Sequence, residues 1–188
     1  NLELEFHGHN DLGLATANAV SAVEAGAAAL SVTVNGLGER AGNAPLEEVA
    51  IALFEVGGYK SDINSRLMTD LCHMVAGASG RVIHDSKPIV GKNVFRHESG
   101  IHCSGLLKDE SSYQLFEPES VGKKASEYVI GYHSGSAAIG HVLEQQGIFI
   151  DKTRASELIP MVREKAFEQK APLTPEALKN LYLLSTTV

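Results

Sequence analysis

The chain has 188 residues, of which 44% are hydrophobic and 21% charged, and its formal net charge at pH 7 is −7. This composition is typical of an ordinary globular protein, and no apolar run is long enough to span a membrane. The negative charge, with no basic stripe between aromatic residues, argues against nucleic acid as a partner. Two distant cysteines, Cys72 and Cys103, and no recognisable signal peptide predict reduced thiols and a cytoplasmic location.

The first nine residues alternate in the manner of a β-strand that ends in a pair of histidines. Leu2, Leu4 and Phe6 would share one face, and His7 and His9 the other, because strand side chains alternate with period two. Two imidazoles that point the same way at a strand end suit a divalent metal ion. A half-exposed surface pair with no ligand is the alternative interpretation.

Helix and strand patterns follow in regular order. The alanine-rich run 15–25, ended by Gly26, predicts a helix, and the β-branched run 28–34 predicts a buried strand. A glycine-rich turn over 35–43 leads to a second helix, for which Asn43 is the expected N-cap. The order strand, helix, strand, helix predicts two β/α units of a parallel sheet.

In such sheets the chemistry collects at the carboxyl ends of the strands. His7, His9 and Asn43 all fall at those ends in the predicted arrangement. They are therefore the first candidates for a functional site.

The rest of the chain has mainly helical patterns. A loop with Pro88 and Gly91 is the predicted domain junction, and Pro160 predicts a break or kink near Ile159. Helices are predicted over 66–76, 136–146, 154–169 and onward from Thr174, which is the expected N-cap.

Several sequence blocks in fixed order resemble one enzyme family. His-x-His-Asn-Asp-x-Gly at 7–13 and Asn-Gly-x-Gly-Glu-Arg-x-Gly-Asn at 35–43 resemble the metal-dependent acyltransferases that make 2-isopropylmalate, homocitrate and citramalate. Further similar blocks lie at 88–105, 113–122 and 130–135. The resemblance extends from Leu2 to about Gly147.

The resemblance implies an α/β fold, namely the last two β/α units of a (β/α)8 TIM barrel followed by mainly helical subdomains. The implied domains are a barrel part over 1–57, a helical linker over 58–87, a first subdomain over 88–135 with His102 and Tyr113, and a second helical subdomain over 136–188. A complete barrel needs roughly 200 residues or more. Either upstream residues were removed or disordered, or a separate chain supplies the first six strands, and both alternatives stay open.

The resemblance also implies a metal centre. His7 and His9 would be ligands of a divalent ion (Mg, Mn, Zn or Co), and Asn43 would lie at or near it. A plain helix N-cap is the alternative for Asn43.

Roles in catalysis and substrate binding follow from the same resemblance. His102 and Tyr113 match a pair that reaches into the active site of the partner subunit of a homodimer, although Tyr113 could also be a core or surface tyrosine. Thr33, Glu39 and Arg40 are the candidate substrate-binding residues, and Glu39 and Arg40 could instead brace their loop. Cys103, beside His102, is not expected to be a nucleophile, because sequence neighbours seldom face each other.

The expected reaction is a Claisen-type condensation of acetyl-CoA with a 2-oxo acid, with acetyl-CoA as a substrate. About 85 residues follow His102, and the run 105–109 resembles short, nitrogenase-associated homocitrate synthases. We therefore expect homocitrate synthesis from 2-oxoglutarate, with 2-isopropylmalate, citramalate or Re-citrate synthase as alternatives. A non-catalytic dimerisation subunit is the alternative from another class.

Overall fold

The computed structural model describes residues 2–99, 105 and 114–186. The chain divides into two compact units. The first comprises Asn1–Val94 and Phe116–Ala125, and the second comprises Phe95–Leu115 and Ser126–Val188. Within the described ranges, no helix combines the length and apolar character needed to cross a membrane.

The first unit starts with the predicted alternation of strands and helices. Strand β1 (Glu5–His7) is followed by helix α1 (Ala15–Glu24), strand β2 (Ala29–Ser31) and helix α2 (Leu46–Glu55). The two strands are parallel neighbours, as a helical crossover between them requires. The structure thus confirms a mixed α/β fold with two successive β/α units, although both strands are shorter than the sequence pattern predicts.

One face of the two-stranded sheet packs on the helices. Phe6, Leu30 and Val32 contact a cluster formed by small side chains of α1 and by residues at the start of α2, namely Ala15, Ala19, Ala44 and Val49. Small residues in α1 let the helix approach the strands closely. The predicted alternation is present only within β1, where Phe6 is partly buried while Glu5 and His7 are exposed. Leu2 and Leu4, predicted to share the face of Phe6, precede the strand and are exposed.

Helix α2 begins later than predicted, and Asn43 is not its N-cap. The N-cap is Pro45, which has an extended backbone and makes no side-chain cap. Asn43 instead forms a backbone pairing with His9, and its side chain donates to the Leu37 carbonyl. Glu47 and Glu48 occupy the first turn, where carboxylates complement the positive end of the helix dipole.

A further helix, α3 (Met68–Ser79), completes the first unit and confirms the helix predicted over 66–76. A short 3-10 turn at Pro118–Val121 packs next to it, where the Thr69 hydroxyl donates to the Val121 carbonyl at 2.6 Å. Gly122 follows with φ +78°, and a Cβ there would lie 2.2 Å from the Arg66 carbonyl oxygen. Only glycine fits this contact.

In the described ranges 95–99, 114–115 and 126–186, the second unit contains a small parallel strand pair followed by three helices. Strand β3 (Arg96–His97) pairs with β4 (Glu127–Tyr128), and these strands were not predicted. Helices α4 (Ser136–Glu144), α5 (Lys152–Gln169) and α6 (Pro175–Ser185) follow. All three helices were predicted, and the N-cap at Thr174 is confirmed because its hydroxyl accepts from the Ala177 amide at 3.2 Å.

Of the predicted break or kink near Ile159, the break is wrong, since α5 continues through Pro160, and the kink stays a prediction. Proline removes one helical N–H bond, but Pro160 is exposed, so water can reach the carbonyl that loses its partner. The opposite face of α5 is buried, with Leu158 and Val162 fully enclosed. Burial of that apolar face outweighs the local cost of the proline.

Candidate functional site

The candidate site lies where β1 and β2 end. His7 stands opposite Ser31 in the parallel register, and the His7 Nδ1 atom lies 3.2 Å from the Ser31 hydroxyl. The rings of His7 and His9 meet edge to face with centroids 5.0 Å apart. Both imidazoles are exposed, so they remain accessible to a ligand.

The glycine-rich loop leads the chain back to the end of β1, where Asn43 lies beside the histidines. The Asn10 amide donates to the Gly42 carbonyl at 2.9 Å, and the Ala44 amide donates to the Gly8 carbonyl at 3.0 Å. These two bonds set His9 and Asn43 directly opposite each other as an antiparallel pair. Residues 34 positions apart in sequence thus meet at one strand end, next to His7.

The side chain of Asn43 is held but incompletely satisfied. Its Nδ2 donates to the Leu37 carbonyl at 3.4 Å, whereas its Oδ1 is buried and has no hydrogen-bond partner among the described residues. Gly38 packs closely against the side-chain amide of Asn43, since a Cβ on Gly38 would lie only 2.8 Å from it. A buried amide oxygen without a partner is costly unless it binds something.

The donor set at this place fits a divalent ion. Two imidazoles and one amide oxygen suit Mn, Co or Zn, and a bound ion would give the unpaired Oδ1 of Asn43 a partner. Within the described ranges, no group of three or more His, Cys, Asp and Glu residues is arranged to hold a metal. If His7, His9 and Asn43 bound an ion, they would be a partial ligand set that carries no negative charge of its own.

Thr33 continues the face that carries the site. Ser31 shares its face with His7, and Thr33 follows two residues later, while Val32 faces the core. The Thr33 hydroxyl is buried without a hydrogen-bond partner in the described part of the chain. Its backbone is fixed, because its amide donates to the Ala44 carbonyl and its carbonyl accepts from Leu46.

Arg40 makes a two-pronged contact with Asp11. Its Nε and one terminal nitrogen lie 2.9 and 3.1 Å from the two carboxylate oxygens of Asp11. The hydrogen bond from the guanidinium holds the pKa of Asp11 below its ordinary value. This contact connects the glycine-rich loop, residues 35–43, to the turn after His9. Glu39, next to Arg40, is exposed.

The catalytic candidates His102 and Tyr113 lie outside the described residues, as does Cys103. Their assignment therefore stays a prediction.

A buried charged cluster adjoins the glycine-rich loop, and the sequence pattern does not predict it. Glu47 is fully buried, and its Oε1 pairs with the Lys87 ammonium at 2.9 Å. Lys87 also pairs with Glu48 at 2.8 Å. Burial works to lower the pKa of Lys87, but hydrogen bonds to Glu48 and Glu47 outweigh it and the pKa is raised.

This cluster also contacts the glycine-rich loop. The second oxygen of Glu47 accepts from the Asn35 amide at 3.0 Å, and the Asn35 side chain donates to the Cys72 carbonyl at 2.8 Å. The two glutamates have the local pattern of ordinary helix first-turn acids. No local signal indicates a partner some forty positions later in the sequence.

Comparison with known proteins identifies the family of this chain. The HMGL-like family model matches residues 1–75, and the model for the homocitrate synthase post-HMGL domain-like family matches residues 89–170. The chain therefore belongs to the enzyme family that combines these two parts, an HMGL-like part followed by a homocitrate synthase post-HMGL domain-like part.

Three relatives illustrate the similarity. The 2-isopropylmalate synthase 2 of Caldanaerobacter subterraneus subsp. tengcongensis is 49% identical over 183 residues, which is 96% of this chain and 47% of the relative. Homocitrate synthase 1 of Nostoc sp. is 43% identical over 180 residues, 96% of this chain and 48% of the relative. The 2-isopropylmalate synthase of Sulfolobus acidocaldarius is 42% identical over 163 residues, 87% and 42% respectively. The chain thus spans about half the length of the first two relatives.

Proposed function

We propose that this chain is part of an acyltransferase that condenses acetyl-CoA with a 2-oxo acid. The observation that carries the proposal is the pairing of His9 with Asn43 beside His7 at the end of two parallel strands. The family, whose relatives are named as 2-isopropylmalate and homocitrate synthases, supplies the reaction class.

A divalent ion (Mg, Mn, Zn or Co) is the proposed cofactor, and it would be held by His7, His9 and Asn43. When bound, it would act as a Lewis acid on the ketone of the 2-oxo acid. The buried, unpaired Oδ1 of Asn43 and the accessible imidazoles support this ligand set. A carboxylate from the remaining barrel strands would complete the set and balance the charge.

The chain's own residues would orient the substrates and move protons. His102 is the proposed base that takes a proton from the acetyl methyl group, with Tyr113 as hydrogen-bond partner or proton donor. The resulting carbon nucleophile forms a bond to the keto carbon, whose oxygen takes up a proton. Water then cleaves the thioester, which releases CoA and leaves a new carboxylate. Thr33 would bind the 2-oxo acid through its buried hydroxyl.

Glu39 and Arg40 are the remaining proposed substrate-binding residues. The contact of Arg40 with Asp11 supports a loop-bracing role for Arg40 at the same time. To bind substrate, the Arg40 guanidinium would have to contact Asp11 and the substrate at the same time, or break its contact with Asp11.

The position of these β/α units in a complete enzyme is part of the proposal. We place them as the last two units of a (β/α)8 barrel, with residues 1–57 as barrel and the helical parts as subdomains. Among the described residues, the sheet of the first unit has only two strands. An apolar groove of about 420 Å3 adjoins it and is lined by residues such as Leu30, Val49 and Phe54. Further barrel strands would cover this surface.

A homodimer is the proposed assembly, with His102 and Tyr113 of one subunit serving the partner's site. Whether the remaining strands belong to the same polypeptide or to a separate chain is left to experiment. Light scattering on the 188-residue chain is expected to give a dimer or larger species, because exposed sheet edges and apolar grooves favour association. A monomer at micromolar concentration would contradict it.

The proposed 2-oxo acid is 2-oxoglutarate, which gives homocitrate. The similarity of run 105–109 to short homocitrate synthases supports this choice. The 49% identity to a 2-isopropylmalate synthase favours the branched 2-oxo acid of that reaction as the second candidate.

A reconstitution experiment tests the proposal. The chain is mixed with a polypeptide that carries the first six barrel strands, complex formation is checked by gel filtration, and free thiol release from acetyl-CoA is followed with each 2-oxo acid. We expect turnover only in the complex, with metal present, and fastest with 2-oxoglutarate. His9→Ala in the same complex should abolish it. Turnover by the 188-residue chain alone, or full activity of the His9→Ala complex, would contradict the proposal.

A further inference from the structure

We infer that Glu47 is a positioning residue for the candidate metal site, which it reaches through the backbone of the glycine-rich loop. The inference rests on the proposed metal site of His7, His9 and Asn43, and it assigns a function to a buried carboxylate that does not belong to that site. Glu47 is fully buried, although a lone carboxylate in the first turn of a helix is ordinarily exposed to water.

The first link is a hydrogen bond from the loop to Glu47. The Asn35 amide donates to Glu47 Oε2 at 3.0 Å, and Asn35 adopts a left-handed backbone with φ +59°. Asparagine tolerates this conformation better than most residues, but it still needs support from its surroundings. The Glu47 carboxylate provides that support from the start of α2.

The second link runs from Asn35 through its neighbour to Asn43. Gly36 is also left-handed, with φ +69°, and its carbonyl accepts from the Asn43 amide at 3.1 Å. Gly42 packs against the same carbonyl, since a Cβ on Gly42 would lie only 2.2 Å from the Gly36 oxygen. The conformation of residues 35 and 36 therefore determines where that carbonyl lies, and with it the backbone of Asn43.

The third link joins Asn43 to the histidines. The bonds from Asn10 to Gly42 and from Ala44 to Gly8 place Asn43 opposite His9. A shift of the loop would move the Asn43 amide oxygen relative to both imidazoles. Glu47, four residues after Asn43, thus closes the loop that presents this oxygen.

Lys87 pairs with Glu47 and helps to hold its carboxylate in place. Its ammonium lies 2.9 Å from Glu47 and 2.8 Å from Glu48, so it binds both carboxylates at once. Glu48 has a different second partner, because its other oxygen accepts from the Thr16 hydroxyl at 2.7 Å. The two neighbouring glutamates share one cation and one helix turn, but only Glu47 bonds to Asn35. This difference makes Glu48 a matched control.

The test uses Mn2+ as the probe and the complete 188-residue chain. Paramagnetic broadening of the His7 and His9 imidazole resonances reports binding even when affinity is weak, and urea unfolding reports stability separately. Removal of groups that orient metal ligands typically costs about 10- to 100-fold in affinity, so we expect Glu47→Ala to weaken Mn2+ binding about tenfold. Glu48→Ala should lower stability but leave the affinity for Mn2+ unchanged. Glu47→Gln, which retains an oxygen acceptor for Asn35, should restore most of the affinity.

A second pair of variants covers the case in which Glu47→Ala does not fold. Asn35→Ala and Asn35→Gly both remove the side-chain bond to Cys72, but only alanine is strained at a positive φ. We expect weaker Mn2+ binding for Asn35→Ala than for Asn35→Gly. Equal affinities in this pair, or equal losses for Glu47→Ala and Glu48→Ala, would overturn the inference while leaving the metal site intact. If wild-type imidazoles are not broadened at millimolar Mn2+, the metal site itself is wrong and the inference falls with it.

Discussion

The two compact units bury different kinds of side chain. In the second unit, α4, α5 and α6 enclose a continuous aliphatic cluster that includes Ile139, Leu143 and Leu158. In the first unit, alanines and a valine line the contact between sheet and helices, a second apolar cluster forms around Met68, Cys72 and Val90, and the Glu47 carboxylate is fully buried. The second unit therefore has the larger continuous aliphatic core, whereas the first combines smaller apolar clusters with a buried, paired carboxylate.

This difference matters for function. Polar groups in a buried network have directional partners, so they fix atoms in position more narrowly than aliphatic contacts do. The residues that carry the candidate site, His9 and Asn43, are held by backbone bonds and lie next to such a network. The unit with the smaller aliphatic core is thus the one that can present ligands with defined geometry.

The largest expected effect is on the free energy of unfolding, from a substitution in the aliphatic core of the second unit. Leu158→Ala should lower the free energy of unfolding of the second unit by about 2–5 kcal/mol, because a fully buried leucine leaves a cavity. Urea unfolding followed by helical circular dichroism measures this loss. Glu164→Ala, on the exposed face of the same helix, is the control and should change stability by about 0.5 kcal/mol or less. A loss below 1 kcal/mol (roughly the cost of a poorly packed methylene) would break the proposed contrast between the units.

The candidate ligands should behave in the opposite way, with a large effect on binding and a small one on folding. Since His7 and His9 are exposed, His9→Ala should weaken Mn2+ binding at least about tenfold, the cost of losing interactions at a metal site. Stability should change little. Broadening of the remaining His7 resonance measures the affinity, and His73→Ala, an exposed imidazole on α3, is the control. Unchanged affinity in His9→Ala would show that the histidine pair binds no metal.

Regular elements of both units could be predicted from local sequence. The apolar spacing in α4 and α5, the alternation around Phe6 and the N-cap at Thr174 all have local signals, and each is present in the structure. The prediction failed where a distant contact decides the outcome. Pro160 is tolerated because the buried face of α5 outweighs its local effect.

The candidate site likewise has features with a local sequence signal and features that depend on distant contacts. The histidine pair is visible in the sequence because its members are two residues apart at a strand end, and their rings do meet, although β1 ends at His7. The prediction that Asn43 is the helix N-cap was wrong. Its pairing with His9 depends on two backbone bonds across the loop, which leave no trace in residue type. The partnership of Glu47 with Lys87 is equally invisible, because forty residues separate them.

A smaller effect is expected for the reactivity of the Cys72 thiol, which contacts the polar network of the first unit. Burial, together with the negative charge of Glu47 and a hydrogen bond to it, raises the pKa of the thiol from 9.0 to about 12. In a Cys103→Ser background, the folded chain should therefore react slowly with a thiol reagent at pH 8, and unfolding in urea should restore fast reaction. The unfolded thiol ionises near pH 9.0 and the folded one near 12, so stability should fall across that interval. Equally fast reaction of folded and unfolded protein would contradict the burial of this residue.

The smallest effect is expected at the exposed end of the site loop, where Arg40 meets Asp11. The guanidinium lowers the pKa of Asp11 from 3.8, so Arg40→Ala should return that pKa toward its ordinary value in a carbon-13 NMR titration of the carboxyl. A lowered folded-state pKa contributes stability above pH 3.8, and the contribution is lost as the pH falls through the folded-state value. Both side chains are about half exposed, so the effect on stability near neutral pH should be slight and should diminish further with added salt. Arg66→Ala, which removes another exposed cation, is the control and should leave the Asp11 titration in place. If the Asp11 pKa does not move in Arg40→Ala, this contact does not tie the loop to the turn after His9, and the geometry of Asn43 depends on the buried side of the loop alone.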